Sequence, residues 1–223
     1  MEELGLKQQV FLFDLDGTLV NSLPQIMKAA NAARTDLGRP VRDEHFYGAR
    51  IGLPAKLLFE DLCLTQKVED GIIELFRSEL RKNKMSPSDL ISGVSQLLFT
   101  LNKRGHFLAV ATNKPTDLAK KVLCETGIAE FFDCVVGIDG CIAKPDPSIL
   151  FQCLLSLNSD PSQSFMVGDR PEDMIAAVEA GIFGIGVAQS YHSETELVTA
   201  GAKLTFPDIL SFSKGIGGSL ENF

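Results

Sequence analysis

Three apolar runs of this chain each stop at a polar residue able to do chemistry, and no other feature constrains the fold as tightly. Val10 to Phe13 runs into Asp14, Phe107 to Ala111 into Thr112-Asn113, and Phe165 to Val167 into Gly168-Asp169. Each run is short, rich in β-branched and aromatic residues, and lacks the polar alternation of a half-exposed strand, so each reads as a strand buried on both faces. Ile182 to Val187 reads the same way, and Cys134 to Ile138 is a shorter fifth candidate. Amphipathic stretches lie between them, such as Val94 to Lys103 before Gly105 and Met174 to Ala180 before Gly181, where glycine suits a helix C-terminus. Alternating strand and helix predicts an α/β fold, a Rossmann-like parallel sheet with helices on both faces. In such a sheet the carboxyl ends of the strands share one edge, where ligands bind, so residues distant in sequence converge there.

One interval breaks the alternation. After the first strand, the next helix of the core is not expected before about Gly93, and the residues between read as helical. Ser22 stands where a helix cap belongs, Pro24 suits a first turn, and Leu23, Ile26, Met27, Ala30 and Leu37 form a stripe ending at Gly38. Two further helices are expected near Pro54 to Cys63 and Val68 to Lys84. The 223 residues are enough for one domain carrying a smaller inserted one. The expected division is a core of residues 1–16 and 88–223 and a helical cap of residues 17–87. Its connections, Gly17 to Pro24 and Met85 to Asp89, are rich in turn formers. The tail from Lys214 reads as frayed.

Composition excludes several function classes. The net charge is -8, which argues against a nucleic-acid partner, since duplex binding relies on clustered Lys and Arg. No window approaches a membrane span, and Met1-Glu2-Glu3 is acidic where a signal peptide is basic, so a cytoplasmic location is expected. The five cysteines are dispersed, with no Cys-x-x-Cys pair, and are expected to be reduced. Gly184-x-Gly186 lacks the third glycine of a dinucleotide fingerprint, and the three histidines have no metal or triad spacing.

If the strand ends converge, Asp14, Asp16, Asp169 and Asp173 bring four carboxylates into one crevice, and their repulsion calls for a compensating cation. Magnesium, an ion of oxygen ligands usually shared with substrate phosphate, is the natural candidate. Lys144 is a second compensating charge. It precedes an expected helix start at Asp146-Pro147, where the helix dipole disfavours a cation, so a bound anion explains it better than local structure does. Each feature has a plainer reading. Asp-x-Asp-Gly-Thr suits an ordinary turn, Asp169 and Asp173 suit a helix start at Pro171, and Thr112-Asn113 could merely open the helix after Pro115. A calcium loop counted from Asp14 fails, because Leu19 stands where its glycine belongs.

These four segments, Asp14-Leu15-Asp16-Gly17-Thr18, Ala111-Thr112-Asn113-Lys114-Pro115, Lys144-Pro145-Asp146-Pro147 and Gly168-Asp169-Arg170-Pro171-Glu172-Asp173, occur in order. Together they resemble the motifs of haloacid dehalogenase superfamily phosphatases, in the phosphoglycolate phosphatase-like branch with a helical cap. The likeness runs from Val10 to about Leu210. It implies a magnesium-dependent phosphatase in which Asp14 attacks phosphorus, forming an aspartyl-phosphate, and Asp16 is general acid and then base. Lys144, Thr112 and Asn113 would hold the phosphoryl oxygens. Asp14, the Asp16 carbonyl and Asp169 would bind the metal, with Asp173 in support. Asp16 favours phosphoryl chemistry, because dehalogenases of the superfamily lack it. Mutases usually carry a histidine early in the cap, and Leu23 to Ala30 has none. The resemblance thus implies hydrolysis of a small phosphorylated metabolite, phosphoglycolate first, with a phosphotransferase or phosphoglucomutase-like enzyme next and a pyrophosphatase or nucleotidase after it. In the cap, Tyr47 to Gly52 would read the leaving group, with Arg50 and Lys56 either meeting a second anionic group or remaining solvated charges.

Overall fold

Val10 to Phe13 offers no polar face to water, and its position in the fold follows from that. In the computed structural model, β1 (Val10–Phe13) is buried along its whole length at the centre of a sheet. The structure describes residues 8–218, so the acidic start Met1-Glu2-Glu3 and the end of the tail lie outside the described residues. After β1 the chain makes α1 (Leu23–Asp36), α2 (Glu44–Gly48), α3 (Gln66–Lys82) and α4 (Val94–Lys103). It then alternates through β2 (Phe107–Ala111), α5 (Thr116–Thr126), β3 (Cys134–Val136), α6 (Ser148–Leu157), β4 (Ser164–Gly168), α7 (Pro171–Ala180), β5 (Phe183–Val187), α8 (Glu194–Thr199), β6 (Leu204–Phe206) and α9 (Ile209–Gly218). All five strand pairings are parallel, in the order β3-β2-β1-β4-β5-β6.

Alternate residues of each strand supply the two faces. Phe11, Phe13, Leu108, Val110, Phe165 and Val167 pack against α4, α5 and α9. Val10, Leu12, Ala109, Ala111 and Met166 meet α6 and α7. The strand order runs outward in opposite directions from β1 and β4, so the crevice above their carboxyl ends is the switch point of the sheet.

The helices α1 to α3 pack on their own apolar cluster, which includes Ile26, Ala30, Tyr47, Phe59, Ile72 and Phe76. Their two links to the sheet run side by side. Val20 bridges Leu90, the Asn21 N–H donates to the Asp89 carbonyl at 2.9 Å, and the Ile91 N–H to that of Leu19 at 3.0 Å.

Several sequence expectations need correction. Pro54 to Cys63 is not one helix but two short 3-10 turns, Ala55–Leu58 and Glu60–Leu62, the second closed by Cys63 in the left-handed region. Its apolar residues pack inward there without completing an α-helical turn. The segment from Lys214 is not frayed as far as it is described. It continues α9, where Phe212 and Ile216 are buried against the sheet and offset the weak helix propensity of Gly215 and Gly217. The edge strand β6 has no counterpart in the sequence reading, because three half-buried residues carry too little pattern. Among the described residues, no helix is long and apolar enough to cross a membrane.

Candidate active site at the carboxyl edge of the sheet

Asp14 leaves β1 at the switch point, and Asp169 leaves β4 beside it. Asp173 lies in the first turn of α7, where its Oδ2 accepts the Arg170 N–H at 3.2 Å as a capping group. The plainer reading of Asp173 is therefore part of the truth, but its other oxygen has a different use. Lys144 Nζ donates to Asp173 Oδ1 at 2.6 Å, to Asp14 Oδ1 at 2.9 Å and to the Ala111 carbonyl at 2.8 Å. One buried ammonium thus ties together the ends of β1 and β2 and the start of α7. Asp14, Asp169 and Asp173 each offer an oxygen within 4.8 Å of the others, and all three are buried.

Three buried carboxylates against one ammonium leave an excess of negative charge, and the ionisation of the site reflects it. Burial pushes the Asp14 carboxyl up to about 6 despite the pull of Lys144. Burial and the charges of Asp14 and Asp173 push Asp169 up to about 7. Lys144 is also penalised by burial, yet Asp14 and Asp173 hold its ammonium above the ordinary lysine range. Asp169 Oδ1 accepts from the Thr18 hydroxyl, while its buried Oδ2 has no hydrogen-bond partner among the described residues. The nearby Ser190 hydroxyl donates instead to the Gly17 carbonyl at 3.1 Å. An orphaned carboxylate oxygen beside two other acids fits a divalent cation of oxygen ligands.

The sign of the resulting pH dependence is fixed. A carboxyl whose folded pKa lies above its unfolded value binds protons more tightly in the folded state, so its contribution to stability falls as pH rises from about 4 to about 7. Asp169→Asn removes that loss. Chemical denaturation in chelator is expected to show the variant gaining on wild type between pH 5 and pH 8, and a constant difference would count against the shift.

Asp16 points away from this cluster. Lys114 Nζ reaches its Oδ2 at 2.7 Å and its Oδ1 at 2.9 Å, and the Ser22 hydroxyl donates to Oδ1. Ser22 does precede α1, yet it does not cap the helix, because its hydroxyl is spent on Asp16. Thr112 Oγ1 accepts the Lys114 N–H at 3.2 Å, shaping the turn that delivers the lysine. Asn113 Oδ1 accepts the Lys144 N–H at 2.9 Å, and its Nδ2 donates to the Gly52 carbonyl at 2.9 Å.

That last bond brings the helical layer over the site. Gly52 has φ +79°, and a Cβ there would stand 2.9 Å from Arg170 Cδ and 3.7 Å from both Asp14 Oδ2 and the Asp16 carbonyl, so glycine permits the close approach. Arg170 Nη1 donates to the Ile51 carbonyl at 2.8 Å and holds the same loop from the core side. Gly17 serves the opposite wall, where φ is +90° and a Cβ would lie 2.6 Å from Asp169 Oδ2.

The cations of the helical layer behave differently from one another. Arg50 lies beside the site, but its Nε and Nη2 bind Glu60 Oε1 at 3.1 and 2.9 Å, its Nη1 binds the Phe46 carbonyl, and it stacks on Phe46. Lys56 is exposed. Lys114 and Arg170 carried no assignment in the sequence, although both stand inside motif segments. An unexplained cation directly after a strand end was the only available signal.

The family model for haloacid dehalogenase-like hydrolases matches residues 11–187, which includes Asp14, Asp16, Thr112, Asn113, Lys144, Asp169 and Asp173. The chain belongs to that family. Among curated relatives, a probable phosphatase IndB of Dickeya dadantii is 32% identical, over 93% of this chain and 92% of that one. A phosphoglycolate phosphatase of Haemophilus influenzae is also 32% identical, over 88% of this chain and 92% of its own. In fold, a crystal structure described as a predicted phosphatase from Clostridium acetobutylicum superposes with a TM-score of 0.82 at 29% identity, covering 94% of this chain and 98% of that one. A β-phosphoglucomutase from Clostridium difficile shares the family fold with a TM-score of 0.77 at 19% identity, covering 91% of this chain and 92% of its own. Family and relatives make this protein a phosphatase.

Proposed function

We propose that this phosphatase hydrolyses a small phosphomonoester, phosphoglycolate first among them, through a covalent phosphate on Asp14, with magnesium as its cofactor. The observation that carries the reading is the division of labour between two neighbouring carboxylates. Asp14 lies among Lys144, Asp169 and Asp173, whereas Asp16 is held apart by Lys114 and Ser22. Magnesium would be held by Asp14, the Asp16 carbonyl and Asp169, with Asp173 behind them. When bound it supplies positive charge against the phosphoryl oxygens.

The chain's own groups account for the rest. An Asp14 oxygen bonds to phosphorus as the bond from phosphorus to the leaving oxygen breaks, and the leaving oxygen takes a proton from Asp16. Asp16, now a carboxylate, then takes a proton from water. The water oxygen bonds to phosphorus, the Asp14 oxygen leaves, and inorganic phosphate and free Asp14 result. Lys144 faces the charge that builds on the phosphoryl group, with the Thr112 and Asn113 segment beside it. Residues 17–87 serve as the cap that closes over this chemistry, and the five free cysteines accord with a cytoplasmic enzyme.

Purified protein should release inorganic phosphate from p-nitrophenyl phosphate and from 2-phosphoglycolate with magnesium, and not with excess chelator. A metabolite panel yielding no phosphate, or yielding only transfer to a second substrate hydroxyl, would sink the reading. Magnesium should also raise the melting temperature of wild type at pH 8 more than that of Asp169→Asn. Lys114 acts here as a positioning residue. Lys114→Met is expected to lower kcat about 10- to 100-fold with little change in KM, and Lys114→Arg to recover part of it. A loss confined to KM would assign Lys114 to substrate binding instead.

A further inference from the structure

A cavity of about 40 Å³ lies between the helical layer and the sheet, with Asp16 in its wall. Three cations line it: Lys114, Arg50 and Arg77. Two are already engaged, Lys114 with Asp16 and Arg50 with Glu60 and the Phe46 carbonyl. Arg77, in α3, is not. Its Nε is buried with no hydrogen-bond partner, and it forms no ion pair among the described residues. The acid it influences is Asp139, whose carboxyl is drawn down first by the Thr116 backbone N–H and only weakly by Arg77. Asp139 Oδ2 is committed to that N–H at 2.6 Å. The remaining wall includes Ile26, Phe76, Leu80 and Leu118, which offer nothing to a polar ligand.

A buried guanidinium nitrogen without an acceptor, in a small apolar cavity that Asp16 also lines, is a site for the anionic end of a substrate. We infer that Arg77 selects the leaving group, receiving the carboxylate of a short acid esterified to phosphate. The inference rests on the proposed phosphatase mechanism, since that mechanism puts the leaving oxygen at Asp16. Size sets the class of acid. A water-sized group needs about 10 to 15 Å³ on this measure, so the cavity takes roughly three or four such groups, which suits one methylene and a carboxylate. Arg50, the sequence candidate for this role, is paired with Glu60.

The test compares 2-phosphoglycolate with ethyl phosphate, which has the same chain length and no charge on its tail, in wild type, Arg77→Gln and Arg77→Lys. Wild type is expected to prefer phosphoglycolate, and the ratio of kcat/KM for the two substrates to fall about 10- to 100-fold in Arg77→Gln, the range of one charge-assisted hydrogen bond. Arg77→Lys, which keeps the charge, should fall between. An unchanged ratio in both variants would overturn the inference, because a merely structural arginine lowers both substrates alike. Wild type that hydrolyses ethyl phosphate as well as phosphoglycolate would also overturn it while leaving the phosphatase mechanism standing. Wild type that releases phosphate from neither would remove the mechanism and the inference with it.

Discussion

Asp14→Asn is expected to abolish turnover, lowering phosphate release by at least about 10⁴-fold, while the protein stays folded. The amide keeps the shape of the carboxyl and can still meet Lys144, which retains Asp173 at 2.6 Å, so packing at the end of β1 survives. What is lost is the oxygen nucleophile, for which an amide is no substitute. Stability should rise slightly at neutral pH, because wild-type Asp14 is pushed up to about 6 and its ionisation in the folded state is a cost the variant avoids. Steady-state phosphate release checks the first part. Chemical denaturation at pH 7 checks the stability, and acid-quenched protein analysed for covalent phosphate checks the nucleophile, with label on the Asp14 peptide in wild type and none in the variant. Undiminished activity in Asp14→Asn would remove the proposed mechanism altogether.

Lys144→Met should damage fold and chemistry together. The ammonium is buried and binds two carboxylates and one carbonyl, so its removal leaves Asp14, Asp173 and the Ala111 carbonyl facing one another without a donor. Removing one partner of a buried ion pair typically costs about 3–5 kcal/mol, well above the worth of a surface pair. The cost should be smaller at pH 5 than at pH 8, since protonated acids need no counter-charge. Urea denaturation at the two pH values measures this difference. Activity is expected to fall about 10³-fold or more even under conditions where the variant is folded, through loss of the charge that meets the phosphoryl group. Equal destabilisation at both pH values would mean that the lysine packs but does not neutralise.

Much of the core was readable because its strands are buried on both faces. Val10 to Phe13 and Phe107 to Ala111 have no polar alternation, and the polar residues that follow them necessarily mark one edge of a parallel sheet. The order of strands was not readable in the same way, and side-chain partners depend on it. Lys114 meets Asp16 across 98 positions of sequence only because β2 lies beside β1. Ser22 shows a different limit. The same residue type caps helices and donates to carboxylates, and the structure settles the competition in favour of Asp16. In the helical layer the pattern weakens further. Pro54 to Cys63 has enough apolar residues for a helix but folds as two tight turns, the Glu60 partner of Arg50 is not legible in the sequence, and Arg77 carried no sequence signal at all.

The carboxamide of Asn113 faces two ways, toward the Lys144 backbone and toward the Gly52 carbonyl of the helical layer. Through it, a substrate that kept Gly52 from this position would also disturb the support of the charge-bearing lysine. A substrate too bulky to let Gly52 settle would therefore bind and still react slowly. Discrimination against it would appear in kcat and not in KM, so this enzyme would refuse large esters by failing to finish its own assembly around them.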